Sequence, residues 1–515
     1  MCRPIRSCAV LLAISLLGAC GGDDDDEVIA PTPPQCGELL ESPPTKLATY
    51  SVDGLLDLIS TSEFSEQFLQ LLLTPTCDID VHQLKYRTVD PADELTPASG
   101  ALMIPNDTEP ECQGERPILL YAHGTSTDSS FNIADLSNED NAQGLLMAAV
   151  FAASGYIVVA PNYVGYDTST LGYHPYLNAD QQSKDMIDAL TAARSALPTS
   201  TAPDTTDGGK LFVTGYSQGG YVAMATHRAM QDAGMDVTAS APMSGPYALS
   251  AFGDAVFEGQ VNASAPVNLV LLLTSYQHAY GDIYTDPTDV FTAQYAADAD
   301  ALLPSAVPVS ELVSQGKLPA DAIFSSTPPA PEFASLTPAT EPADLAPIFA
   351  EGFGVNHLIT NSFRLAYLQD AQENPDGGFP VFTDGLPPDD PDNPLRQALK
   401  TNDLRNWTPT APVLLCAGNS DPTVFYLNTQ LMQDYWEAVA PSAPVVVLDV
   451  DSAAGTGDPF ATLKTQFNIA KDLIRIDAVL GGATDGGDRA VLDAYHSSLV
   501  PPFCLSAARS FFDAQ

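Results

Sequence analysis

The residues best suited to chemistry lie at 211–220, Leu-Phe-Val-Thr-Gly-Tyr-Ser-Gln-Gly-Gly, where Gly215-x-Ser217-x-Gly219 joins an apolar run to a small-residue segment. A serine hydroxyl is a poor nucleophile unless a base takes its proton and hydrogen-bond donors receive the oxyanion it creates. The hydroxyl must then stand clear at a tight strand-to-helix turn, and glycines on either side give that turn room. Val222, Ala225, Ala229 and Ala233 recur at helical spacing after the turn, so the following helix can lie close against a sheet. We read the stretch as a nucleophile elbow with Ser217 as the nucleophile.

The elements around it must build that sheet. Pro117-Ile-Leu-Leu-Tyr-Ala122 reads as a buried strand, 143–154 as a helix, 155–160 as a strand stopped by Pro161, 180–196 as a helix and 211–215 as the strand feeding the elbow. A further strand is expected at 237–243. Alternating strands and helices imply an α/β fold, a doubly wound, mostly parallel sheet covered on both faces. Ahead of it, 81–89 and 99–104 read as antiparallel strands. Over 39–73, Leu55, Leu58, Phe64, Phe68, Leu71 and Leu72 recur at mixed helical spacing and suggest helices. From 246 to 409 the alternation stops. Proline and alanine dominate, helices at 267–280 and 349–369 stand between Pro-rich connections, and no strand signal convinces, so this is expected to be a mainly helical cap inserted in the core. Strands resume at 412–417 and, as a buried strand, at 444–450.

The elbow, the loop His123-Gly124-Thr125-Ser126 and the phrase Ala160-Pro-Asn-Tyr-Val-Gly-Tyr166 with the later His174-Pro-Tyr resemble the α/β-hydrolase fold, and within it secreted lipase-like esterases of bacteria and fungi. The resemblance covers 81–245 and 410–512; relatives tend to carry Asp where this chain has Asn162, a position read as structural. It implies that the backbone amides of Thr125 and Gln218 form the oxyanion hole, with His123 a structural side chain holding its loop. It also places the acid of a Ser-Asp-His set in Gly418-Asn-Ser-Asp421-Pro-Thr-Val424, which matches Asp421. Of seven histidines, His496 alone follows Asp421, so the chain order allows no other base. Some 45 residues separate the 450 strand from His496, which requires an extra helix near 460–480 to return the histidine to the serine. The expected function is a serine hydrolase cleaving carboxylic esters, whether small-molecule, lipid or polymer, through an acyl-enzyme, with no metal or organic cofactor. Two alternatives remain: a serine peptidase of the prolyl-oligopeptidase type, and a non-catalytic surface-binding protein on a hydrolase scaffold.

Composition bounds the rest. With 515 residues the chain can bury a large core, and 20 basic against 65 acidic residues give a net charge of −45, a field that repels nucleic acid. Residues 1–19 carry Arg3 and Arg6, an apolar run too short to span a bilayer, and Leu17-Gly18-Ala19 before Cys20, which resembles a bacterial lipoprotein signal with Cys20 as the lipidated residue. The mature protein is then expected in the cell envelope, held to a membrane by its lipid; the alternative is an ordinary secretory signal, which gives the same address outside the cytoplasm but no anchor. An acidic, Pro-rich tether (20–38) leads into the first segment of the hydrolase core (39–245), the cap (246–409) and the closing segment of the core (410–515). Beyond Cys20 lie Cys36, Cys77, Cys112, Cys416 and Cys504, an odd number that leaves at least one unpaired within the chain. With no Cys-x-x-Cys and no clustered histidines, disulfides are a better reading than zinc. Cys416 is expected to pair with Cys504, and two of the other three with each other.

Overall fold

The structure is a computed structural model that describes residues 34–60, 75–138, 141–200 and 204–515. Cys20, most of the tether, and Phe64, Phe68, Leu71 and Leu72 lie outside the described residues. Strands β1 (Thr45–Tyr50), β2 (Ile79–Val89), β3 (Leu95–Pro105), β4 (Gly114–Ala122), β5 (Ile157–Pro161), β6 (Thr205–Tyr216), β7 (Ala239–Met243), β8 (Val413–Ala417) and β9 (Val445–Asp449) form one nine-stranded sheet in the order β1-β2-β3-β5-β4-β6-β7-β8-β9. The pairs from β5 through β9 are parallel, while β1, β2 and β3 add antiparallel pairs at one edge.

Burial on both faces explains why β4 reads as an unbroken apolar run. Ile118, Leu120 and Ala122 point into one core, packed with Met186 and Leu190 of α3 (Ala179–Ala196) and Val222 and Met224 of α4 (Gln218–Asp232). Leu119 and Tyr121 point into the other, packed with Met147 of α2 (Ala142–Val150) and Phe503 and Phe512 of α12 (Val500–Asp513).

Between β7 and β8 the chain is mainly helical, including α5 (Leu249–Phe257), α6 (Ala265–Tyr280), α7 (Asn361–Glu373) and α8 (Pro394–Asn402). Buried arginines tie these pieces together. Arg396 of α8 reaches Asp254 of α5 at 2.8 Å and Asp370 of α7 at 2.7 Å, and Arg405 reaches Asp376 at 2.7 Å and Asp403 at 2.8 Å. Each guanidinium is held by two carboxylates, which is what makes a buried charge tolerable. After β8 come α9 (Leu427–Val439), β9, α10 (Ala461–Leu480), α11 (Asp488–Ala494) and α12.

Four sequence expectations need correction. Residues 45–50 form β1 rather than helix: Lys46 pairs with Asp80 at 2.7 Å and Thr49 donates to the same carboxylate at 2.8 Å, so tertiary pairing overrides local spacing. Among the described residues of that stretch, α1 (Val52–Ser60) realises the expected helix. The helix expected over 349–369 breaks into Ala346–Glu351 and α7, because Phe353–Gly354 pairs with Phe324–Ser325 and Gly352 packs against Val261 where a Cβ would lie 2.3 Å from that side chain. β9 is the sheet's edge, and Val446 is exposed rather than buried. Finally, Cys77–Cys112 and Cys416–Cys504 are disulfides and Cys36 is disulfide-bonded too, so none of the five is unpaired.

Candidate active site

Ser217 stands between the end of β6 and the first residue of α4, with φ 61° and ψ −125°. A non-glycine residue there carries strain of about 1–3 kcal/mol, held by the surrounding structure. Its amide donates to Met243 O at 3.0 Å on the neighbouring strand. A Cβ at Gly219 would lie 2.0 Å from Ala122 O and one at Gly220 2.2 Å from Met243 O, so the backbones of β4 and β7 approach too closely for any side chain. The glycines therefore let α4 start directly against the sheet.

Asp421 lies in the loop between β8 and α9, where its Oδ1 accepts from the amides of Thr423 at 2.9 Å and Val424 at 3.0 Å. Its Oδ2 is 2.7 Å from His496 Nδ1, and His496 Nε2 is 2.8 Å from Ser217 Oγ. An acceptor-only carboxylate at Nδ1 requires a proton on that nitrogen, leaving the Nε2 lone pair to accept from the serine hydroxyl. The Asp421 carboxylate is fully buried and the imidazole 12 % exposed, so one end of the run is dry and the other faces a cavity. His496 belongs to a five-residue π-helical turn, Tyr495–Leu499, joining α11 to α12. The Cys416–Cys504 disulfide clamps β8 to α12 and so brackets the elements carrying acid and base.

Thr125 and Gln218 line the same cavity as Ser217 and His496. Gln218 is the first residue of α4, where a helix has no internal acceptor for its N–H, and among the described residues the Thr125 amide has none either. The Thr125 loop is fixed from several sides. Gly124 N donates to Gln143 Oε1 at 2.8 Å, Thr125 Oγ1 lies 3.1 Å from Tyr176 Oη, and the buried His123 ring contacts Gly124 O and Asn162 O. Asn162 is a structural centre: its Oδ1 accepts from Ile133 N at 2.8 Å and its Nδ2 donates to Ser99 Oγ at 2.9 Å. Burial pushes His123 and His227 down to about 4 and His174 to about 3, so these rings stay neutral.

Sequence reasoning gave no role to Gln143, His174 or Tyr495. The first two follow from the structure alone, although His174 sits in a phrase the resemblance had singled out. His174 accepts at Nε2 from Gln218 Nε2 at 2.7 Å. Tyr495, beside His496, accepts from Ser420 N at 3.1 Å and donates to Asp451 Oδ2 at 2.8 Å, anchoring the loop that presents Asp421.

The cavity at Ser217 has a volume of about 650 Å³. Its far walls come from the segment between β7 and β8, with Leu249 and Phe252 of α5, Leu269 of α6 and Leu395 of α8. Among the described residues, His496 is the one histidine in its lining, and no lining residue is Asp, Glu, Lys or Arg.

Comparison with solved structures agrees with this fold. The rice cell wall degrading esterase LipA from Xanthomonas oryzae, in a ligand-bound form, superposes with a TM-score of 0.62 at 25% identity, covering 84% of this chain and 95% of that one. A putative hydrolase from Legionella pneumophila superposes with a TM-score of 0.60 at 19% identity, covering 91% and 96%. The prolyl oligopeptidase family matches over residues 144–258, a stretch that contains the elbow. Comparison with curated proteins finds no match. The chain has the α/β-hydrolase fold with a serine at its elbow, and the comparisons support a serine hydrolase. Within that class it is similar to lipase-like esterases, LipA among them.

Proposed function

We propose that the chain hydrolyses carboxylic esters. The reading rests on the run from Asp421 through His496 to Ser217, with spacings of 2.7 and 2.8 Å, whose serine and histidine line a largely apolar cavity. His496 takes the proton of Ser217 as Oγ attacks the ester carbonyl, and Asp421 holds the tautomer and stabilises the imidazolium. The amides of Thr125 and Gln218 receive the oxyanion. His496 then protonates the leaving alcohol, and water, activated by the same imidazole, releases the acid from the acyl-enzyme. The segment over residues 246–409 acts as a cap supplying the acyl wall. Ser217→Ala is expected to abolish p-nitrophenyl butyrate hydrolysis and fluorophosphonate labelling with an unaltered unfolding profile; retained turnover refutes the mechanism.

The match to the prolyl oligopeptidase family favours a second reading, a peptidase using the same side chains. Parallel assays on p-nitrophenyl esters and aminoacyl nitroanilides separate the two. We further propose that Cys20 is lipidated and holds the enzyme to the cell envelope as a bacterial lipoprotein. Cys20→Ser is expected to move the protein to the soluble fraction, and unchanged membrane retention refutes the anchor.

A further inference from the structure

We infer that His174 is a positioning residue for the oxyanion hole, acting through the side chain of Gln218; this rests on the proposed role of the Gln218 amide. His174 is buried, with Nδ1 2.9 Å from Val164 O. A carbonyl cannot donate, so Nδ1 carries the proton and Nε2 of the neutral ring is an acceptor. Gln218 Nε2 donates to that lone pair at 2.7 Å, with Gln182 Nε2 at 3.3 Å converging on it. The orientation of the Gln218 amide group follows, because its oxygen turned toward Nε2 would set two acceptors face to face.

Gln218 is the residue whose backbone N–H leaves the start of α4 free, and its direction depends on how that peptide is held. A glutamine side chain left loose would let the first turn of α4 relax from the strained elbow. His174 prevents this because it is itself wedged. Its ring lies 5.5 Å from Tyr163 and 4.8 Å from Tyr166, and Tyr163 stacks at 4.2 Å on His123, two residues before Thr125. One buried stack of His174, Tyr163 and His123 thus reaches both segments that supply oxyanion donors.

The test measures kcat, KM and inhibition by an alkyl trifluoromethyl ketone for His174→Phe, His174→Gln, Gln218→Leu and the double variant His174→Phe/Gln218→Leu. His174→Phe is expected to lower kcat about 10- to 100-fold, less than the loss of a whole donor, with KM within about twofold. Ketone affinity should fall in proportion to kcat/KM, since the ketone adduct carries the oxyanion. His174→Gln, whose Oε1 can accept from Gln218, should recover most of the loss, and the double variant should be no worse than either single one. Unchanged kcat in His174→Phe, no recovery in His174→Gln, or losses that multiply in the double variant overturn the inference. Should His174→Phe fail to fold, unchanged kcat in Gln218→Leu overturns it alone. Wild-type protein that neither turns over esters nor takes up fluorophosphonate retires the esterase reading itself, whereas normal wild-type turnover with unaffected variants retires only the role of His174.

Discussion

Replacing Asp421 by Asn tests the hydrogen-bonded run without disturbing shape. The Asp421 side chain is fully buried and makes three contacts, two through Oδ1 with the amides of Thr423 and Val424 and one through Oδ2 with His496. Asparagine can keep the first two only with its carbonyl oxygen in the Oδ1 position. Flipping it would aim an NH2 at two backbone donors and leave both unpaired, a cost of about 1–3 kcal/mol each. The unflipped amide wins, so an NH2 faces His496 Nδ1. That nitrogen must then accept, the ring proton moves to Nε2, and the base loses the lone pair that faces Ser217 at 2.8 Å. The expected result is a fall in kcat on the order of 10⁴, equivalent to about 5.5 kcal/mol of transition-state stabilisation. The assay is kcat for p-nitrophenyl butyrate at neutral pH, alongside thermal unfolding to show that the fold survives. A folded Asp421→Asn enzyme with kcat within about tenfold of wild type refutes the tautomer argument.

Opening the Cys416–Cys504 disulfide by Cys416→Ser with Cys504→Ser frees a loop of sequence separation 88 in the unfolded chain and should cost about 4–5 kcal/mol of stability, read by denaturant unfolding; an unchanged midpoint refutes this. Burial raises Asp188 from 3.8 to about 7, so the folded state binds more protons than the unfolded one between those values and stability falls as pH rises through that window. Asp188→Asn should therefore raise Tm at pH 8 and leave it unchanged at pH 4, and equal shifts at both pH values count against the assignment. Because the cavity lining holds no Asp, Glu, Lys or Arg among the described residues, an ester whose acyl chain ends in a carboxylate should show kcat/KM at least ~100-fold below its neutral isostere, the cost of desolvating an unpaired charge. Comparable values for the pair would place the acyl group elsewhere.

What the sequence made legible was local. The elbow could be read because an apolar run, three glycines and alanines at helical spacing all lie within about twenty residues, and each signal has one physical meaning. β1 could not, because its burial is slight and its order comes from pairing with β2. The cap helices were legible in part, since Gly352 ends one for a reason that sits on Val261, far away in sequence.

His496 shows the limit most sharply. Chain order singled it out, and the helix needed to return it is present as α10, but hydrophobic spacing carries no sign of a π-helical turn, which inserts one residue without altering the apolar faces on either side. The turn matters because it gives adjacent residues different tasks. Tyr495 points inward under Gly418, where a Cβ would lie 2.6 Å from its hydroxyl, and bonds Ser420 N and Asp451, while His496 bonds Ser217 and Asp421. Two consecutive side chains therefore hold the acid loop at its backbone and at its carboxylate. A regular helical turn at 495–499 would alter the relative direction of these two residues and loosen one contact to keep the other.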